Sequence, residues 1–169
     1  MKSKKEKLKF LPQNAYFISA LIFVNKKGEI LLVKERKSNS WLPPGGEICY
    51  REKEQFLDCA FRETIEEVGL KVKKEPELVD LTISYPEGDN PYKKEKISLV
   101  IATYIAEFPR GQKIKLRRSF GPIEREYDVK EYLWISPQEI IKKKLKLPQY
   151  FVKNVIPKIK YWIEKYGEK

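Results

Sequence analysis

Glu63, Glu66 and Glu67 stand at i, i+3 and i+4 in a stretch where Phe56, Leu57, Ala60, Phe61, Thr64 and Val68 recur at helical spacing. Three carboxylates therefore rise from neighbouring turns of one helix stripe, along the border of the apolar arc. Side by side they repel, and the nearby cations, Arg62 and Lys71, are too few to neutralise all three. Oxygen donors of this kind suit Mg²⁺, Mn²⁺ or Ca²⁺ rather than zinc or copper. Magnesium commonly arrives with phosphate, and Gly45-Gly46 upstream lets backbone approach both metal and ligand. Taken alone, three glutamates also describe a solvated helix face, so the surrounding pattern decides between the two.

Composition narrows the chemistry further. The 169 residues contain no histidine, which removes His-based triads, imidazole bases and the commonest zinc ligand together. Two cysteines, Cys49 and Cys59, make neither a thiolate metal cluster nor a disulfide scaffold; Cys59 reads as a small buried residue and Cys49 as a loop thiol. Lys and Arg outnumber Asp and Glu by 35 to 24, a formal charge of +11, which favours anionic partners such as nucleotides or RNA. Lysine runs recur along the chain, at 71–74, 113–118 and 142–146 among others. Each such run also fits a solvated surface. Residues 1–12 form a basic extension with no long apolar stretch behind it, so no signal peptide or membrane span is expected and cytoplasmic residence follows by default.

The elements that must position the acids follow from periodicity. Residues 16–24 and 30–33 are β-rich runs separated by Asn25-Lys26-Lys27-Gly28, which predicts a hairpin. Trp41-Leu42-Pro43-Pro44-Gly45-Gly46 predicts a shaped loop that breaks regular structure. The helix spans about 54–68, with Gly69 as its stop. Residues 78–85, 97–108 and 132–135 predict strands, the second a buried central one. Ser136-Pro137 opens a short helix, and residues 147–166 form a helical segment that Pro157 kinks or divides. The chain is long enough for one domain with a core and shows no inner boundary, so 1–169 is expected to be a single domain.

From Gly46 through Leu70 the order of residues resembles the signature of the Nudix hydrolases, G-x5-E-x7-R-E-U-x-E-E-x-G-U, with U a bulky aliphatic residue. Residues 62–70, Arg-Glu-Thr-Ile-Glu-Glu-Val-Gly-Leu, match its second half in register, apart from Thr64 at a U position. Glu54 lies eight before Arg62, as x7 demands, but seven residues rather than five separate it from Gly46. A two-residue loop insertion accounts for this. The alternative, Glu52, keeps the glycine spacing but lengthens the helical part by two, rotating Glu52 about 200° from its expected azimuth. Insertions belong in loops, so Glu54 is the expected match.

The resemblance implies an α/β fold, an α/β/α sandwich around a mixed sheet, and attack by water on a nucleoside diphosphate linked to a group X. It implies Mg²⁺ or Mn²⁺ held by Glu63 and Glu67, with Glu66 a further ligand or the base, and the Gly45 carbonyl another ligand. Arg62 would orient the glutamates, and Glu54 would support Arg62 or bind a second metal. Members often draw a base from a later loop, where Glu124, Glu126 and Asp128 stand, Glu126 being favoured. Lys34 and Arg36 after the second strand, and Arg117 and Arg118 in the long loop, are candidate phosphate contacts; Trp41 or Tyr85 could stack on a base. The expected substrate is a small nucleotide of the (d)NTP or ADP-ribose type. Removal of pyrophosphate or a cap from RNA 5′ ends is the alternative that the charge favours, and a catalytically silent nucleotide or RNA sensor is the third. Many relatives are dimers, so the resemblance also allows a homodimer.

Overall fold

The run Ile18-Ser19-Ala20-Leu21-Ile22-Phe23-Val24 is apolar on both alternating faces, as a strand covered on both sides must be. In the computed structural model, which describes residues 14–36, 38–49, 52–85, 97–116 and 129–166, it belongs to β1 (Ala15–Val24). Its long partner is β6 (Ser98–Glu107), parallel to it from Ala15↔Ser98 through Val24↔Glu107, and buried along almost all its length. The antiparallel β5 (Glu77–Ser84) flanks β6 on the outside.

On its other side β1 changes partner along its length. Near Val24 it meets β2 (Ile30–Glu35) through a hairpin whose Gly28 takes φ 71° while Asn25 Oδ1 accepts from the Lys27 and Glu29 amides at 2.9 and 3.0 Å. Toward its start, Ile18 to Ala20 pair instead with β4 (Gly45–Glu47). The segment predicted as a loop thus contributes two short strands, β3 (Trp41–Leu42) against β2 and β4 against β1, with Pro43 and Pro44 between the ladders, where no amide donor is needed. Last comes β7 (Val129–Ile135), antiparallel to β2.

Helices cover both faces. Leu31 and Val33 of β2 and Leu21 and Phe23 of β1 pack with Ala60 and Val68 of α1 (Phe56–Val68). Across the sheet, Ile22, Ile30, Leu32 and Ile105 pack with Ile140 of α2 (Pro137–Lys143) and with Phe151, Val155, Ile159 and Trp162 from the C-terminal segment. This is the α/β/α sandwich around a mixed sheet. Ser136 caps α2, its Oγ accepting from the Glu139 amide at 3.2 Å, with Pro137 in the first turn, as the sequence predicts. The C-terminal segment is divided just before Pro157. A π-helical turn over Phe151–Val155, with the Ile156 amide bonded to Phe151 O five residues back, hands over to α3 (Ile156–Tyr166), and the register changes where the proline has no hydrogen to donate. Among the described residues no helix is long and apolar enough to cross a membrane.

Candidate active site

Helix α1 stops where Gly69 adopts φ 69°, its amide bonding back to Ile65 O. The apolar stripe of the helix is buried on the sheet, and that pins the azimuth of everything else on it. Thr64, at the position where the signature has a bulky aliphatic residue, is fully buried; its hydroxyl donates to Ala60 O at 2.7 Å, so the polar atom is satisfied within the helix.

Arg62 is the hub of the acidic face. Its Nε donates to Glu54 Oε1 at 2.8 Å and its Nη2 to Glu54 Oε2 at 3.1 Å, a two-point fork on one carboxylate. Nη1 donates to Glu63 Oε1 at 2.6 Å and to Glu66 Oε2 at 3.1 Å, while Nη2 also reaches Glu47 O at 3.0 Å. Glu54 is fixed from the other side by the Cys49 amide at 2.8 Å. These partners keep Arg62 charged and hold the Glu54 carboxyl below the usual range, the Arg62 hydrogen bond outweighing burial. The structure therefore pairs Glu54 with Arg62, whereas Glu52 is exposed. The extra length sits in a tight turn before the helix, where the Glu52 and Glu54 amides both point at Cys49 O and Lys53 takes φ 55°.

The remaining acids are in the opposite electrostatic condition. Burial is the main cause that pushes Glu63 above the usual carboxylate range, with Arg62 opposing it and Glu66 and Glu54 adding to it. Glu67 is driven well above that range, first by burial and then by Glu63; a 3.0 Å hydrogen bond from the Gly45 amide opposes the shift, and Glu35 and Glu66 reinforce it. Burial raises Glu47 as well. Glu66 is the open member, with 57% of its side chain exposed.

Two glycines make this approach possible. A Cβ at Gly45 would stand 2.8 Å from Ala20 Cα, and one at Gly46 would collide with the Glu63 carboxylate. Cys59 lies beneath, fully buried, its thiol bonded to Gly46 O at 3.4 Å and pushed up to about 12, chiefly by burial. Among the described residues no three acids converge in a ready metal cage, because Glu54, Glu63 and Glu66 all turn toward Arg62. The donor set nevertheless fits a hard divalent cation: adjacent carboxylate oxygens, withdrawn from water, outnumber the one guanidinium among them.

Other sequence-predicted residues fall elsewhere. Lys34 pairs with Glu131 at 2.8 Å and lies over the Trp41 ring at 5.2 Å, and Trp41 packs on the core beneath the C-terminal helices. Arg36 is exposed in the turn after β2, and Tyr85 is half exposed at the end of β5. Arg117, Arg118, Glu124, Glu126 and Asp128 lie outside the described residues. Two acids were not singled out in the sequence. Glu35, two residues beyond Val33 on β2, acts on Glu67 through its charge, and Glu47 presents its carbonyl to Arg62. Leu31 and Val33 alternate toward the α1 side, and extending that period of two to Glu35 was the available signal for the first, although the pairing register shifts between Lys34 and Glu35.

The NUDIX domain family model matches residues 16–155. No curated protein sequence matches the chain significantly. Among solved structures, a MutT protein from Methanosarcina mazei Go1 superposes with TM-score 0.64 at 19% identity, covering 94% of this chain and 99% of that one. An Ap4A hydrolase from C. elegans, solved as a binary complex, gives 0.65 at 15% identity over 90% and 100% of the two chains. The NUDIX domain of Shewanella oneidensis NrtR, complexed with ADP ribose, gives 0.65 at 14% identity over 95% and 99%. At these identities the likeness is one of fold.

Proposed function

We propose, on the premise that this chain belongs to the NUDIX family, that it is a divalent-metal-dependent hydrolase that splits the phosphoanhydride bond of a nucleoside diphosphate linked to a group X. The observation that carries this is the acidic face of α1, where Glu63 and Glu67 are pressed together away from water and, among the described residues, Arg62 is the one guanidinium in contact with the cluster. Mg²⁺ or Mn²⁺ would be held by Glu63, Glu67 and the Gly45 carbonyl, with Glu66 a further ligand if the base is Glu126 instead; when bound it supplies neutralisation of phosphate charge and a lowered pKa for water. Arg62, locked by the Glu54 fork, sets the directions of Glu63 and Glu66. The exposed Glu66 takes the proton as water adds to phosphorus and the bridging oxygen departs with the leaving group; Glu126 is the second candidate for that base. Lys34, Arg36, Trp41, Arg117 and Arg118 are retained as candidate substrate contacts, with Lys34 and Trp41 having first to release one another and Glu131. The whole of 1–169 is read as one domain that works in the cytoplasm, alone or as a homodimer.

A small nucleotide of the (d)NTP or ADP-ribose type is the preferred substrate, in keeping with an ADP-ribose complex and an Ap4A hydrolase among the structural neighbours. RNA 5′ ends are the second reading, favoured by the +11 charge. The test incubates the protein with nucleoside triphosphates, ADP-ribose, dinucleoside polyphosphates and 5′-triphosphate RNA under Mg²⁺ and Mn²⁺, with products read by mass. Cleavage between phosphorus atoms supports the reading. Tight binding with no phosphate released from any of them would replace it with a silent sensor.

A further inference from the structure

Two lysine runs far apart in the sequence meet in the fold. Gln112 clamps the backbone of Lys71 from both sides, its Oε1 accepting from the Lys71 amide and its Nε2 donating to the Lys71 carbonyl, each at 2.8 Å. Lys73 Nζ donates to Arg110 O at 3.2 Å, and the Lys115 amide bonds Val68 O at 2.9 Å at the end of α1. These links tie 71–75 to 110–116 and bring Lys71, Lys73, Lys74, Arg110, Lys113 and Lys115, all exposed, onto one surface, the two segments themselves containing a single acid, Glu75. None of the ion pairs among the described residues involves any of these cations.

The surface is shaped as well as charged. A shallow, open depression of about 380 Å³ is lined by Gly69, Gly111, Gln112, Lys113 and Lys115, and nothing stands within 4 Å of where a Gly111 Cβ would be. A second shallow depression of about 320 Å³ is lined by Leu57, Phe61 and Val72 together with Lys73, Lys74 and Glu75. Lysines beside apolar side chains that include an aromatic ring are what a single strand requires, with phosphates along the lysines and an unstacked base against the ring. A duplex, whose bases are already stacked, has no use for the second depression.

We infer that the joined 71–75 and 110–116 segments form a binding track for single-stranded nucleic acid, RNA being the kind that carries a 5′ polyphosphate. The track starts at Gly69, three residues past Glu66, so a strand entering the acidic face by its 5′ end would lay its following nucleotides across it. This rests on the hydrolase reading for its purpose and not for its measurement.

The probe is a fluorescent 5′-hydroxyl oligouridine of about twelve nucleotides, which has no anhydride to cleave, titrated by anisotropy at several salt concentrations. Replacing Lys71, Lys73, Lys113 and Lys115 together by Gln should weaken binding by about tenfold or more and flatten the logarithmic salt dependence by roughly 0.7 for each phosphate that a lysine no longer neutralises. Phe61→Leu, which keeps an apolar group on the core, should weaken binding by about fivefold or more because a base can no longer stack there. A matched variant with Lys26, Lys27, Lys142 and Lys144 changed to Gln removes the same charge elsewhere, and it should bind nearly as the parent does. A duplex of equal length should compete poorly. The inference is overturned if the two quadruple variants lose affinity alike, which would mean diffuse charge, or if the duplex competes as well as the single strand. Parent protein that hydrolyses small nucleotides yet leaves the oligouridine unbound would also sink the track while sparing the enzyme.

Discussion

Two buried acidic regions of this molecule are built on opposite principles. Asp80 on β5, 5% exposed, is met by the Lys158 ammonium from α3 and by the Thr82 hydroxyl, so one carboxylate faces two donors. On the acidic face of α1, among the described residues, Glu54, Glu63 and Glu66 share the guanidinium of Arg62, and Glu67 has only a backbone amide. The first is a local charge balance that joins sheet to helix and needs nothing from outside. The second, among the described residues, has more carboxylates than cations, and it is the place where a cation and its polyanion gain most by binding.

The sharpest way to break the comparison is to neutralise one acid in each region without changing its size. Glu67→Gln should lower kcat by about a thousandfold, on the order of 4 kcal/mol in the barrier, while the metal-free protein melts no lower than its parent because like charges have been separated. Asp80→Asn should do the reverse, leaving kcat intact and costing about 1–2 kcal/mol, a limited loss because Lys158 is half exposed and can turn to water. Kinetics and thermal melts on both variants check this pair, and a drop in metal-free melting temperature for Glu67→Gln as large as that for Asp80→Asn would erase the distinction.

Acidity offers a second handle. Glu63 and Glu67 have their carboxyl groups raised in the fold, so their contribution to stability is full below the ordinary carboxylate range and is lost as pH climbs through their raised values. Glu54 has the opposite sign: depressed by Arg62, it stabilises above the ordinary range and its contribution disappears as pH falls through the depressed value. Metal-free protein should therefore lose stability on the alkaline side of the ordinary carboxylate range, and Mn²⁺ should restore it, by about 2.7 kcal/mol at a hundredfold excess over Kd. Melting curves from about pH 5 to about pH 8 with and without Mn²⁺ read the effect, and a metal-induced rise that shrinks toward higher pH would contradict it.

The smallest expected effect concerns a polar atom that belongs to neither region. Ser19 is fully buried opposite Gly46, and its Oγ has no hydrogen-bond partner among the described residues. Ser19→Ala should raise stability by about 1 kcal/mol with activity unchanged, measurable by denaturant titration. A loss of stability would show that the hydroxyl is satisfied after all.

The parts of this arrangement that repeat were legible in the sequence. Helix α1 has both a period and a stop, so the azimuths of Arg62, Glu63, Glu66 and Glu67 follow from counting, and the same counting preferred Glu54 to Glu52 across an irregular spacing. Strands β3 and β4 were not legible: two- and three-residue strands around Pro43-Pro44 have no period to read, and they exist because β1 and β2 leave room for them. The π-helical turn was only half legible, since Pro157 announces a break but not its register. Glu35 and the meeting of two lysine runs through Gln112 depend on residues distant in sequence, which no local pattern carries.

The acidic face also explains where this chain tolerates change. Glu54 lies two residues farther from Gly46 than the signature spacing, and the fork on Arg62 is nevertheless intact. Upstream the constraint is volume: at Gly45 and Gly46 even a methyl group must displace either the β1 backbone or a carboxylate. A tag or spliced peptide therefore belongs at Glu52-Lys53, before the helix, and a library of variants that randomises 45 and 46 should return glycine at both.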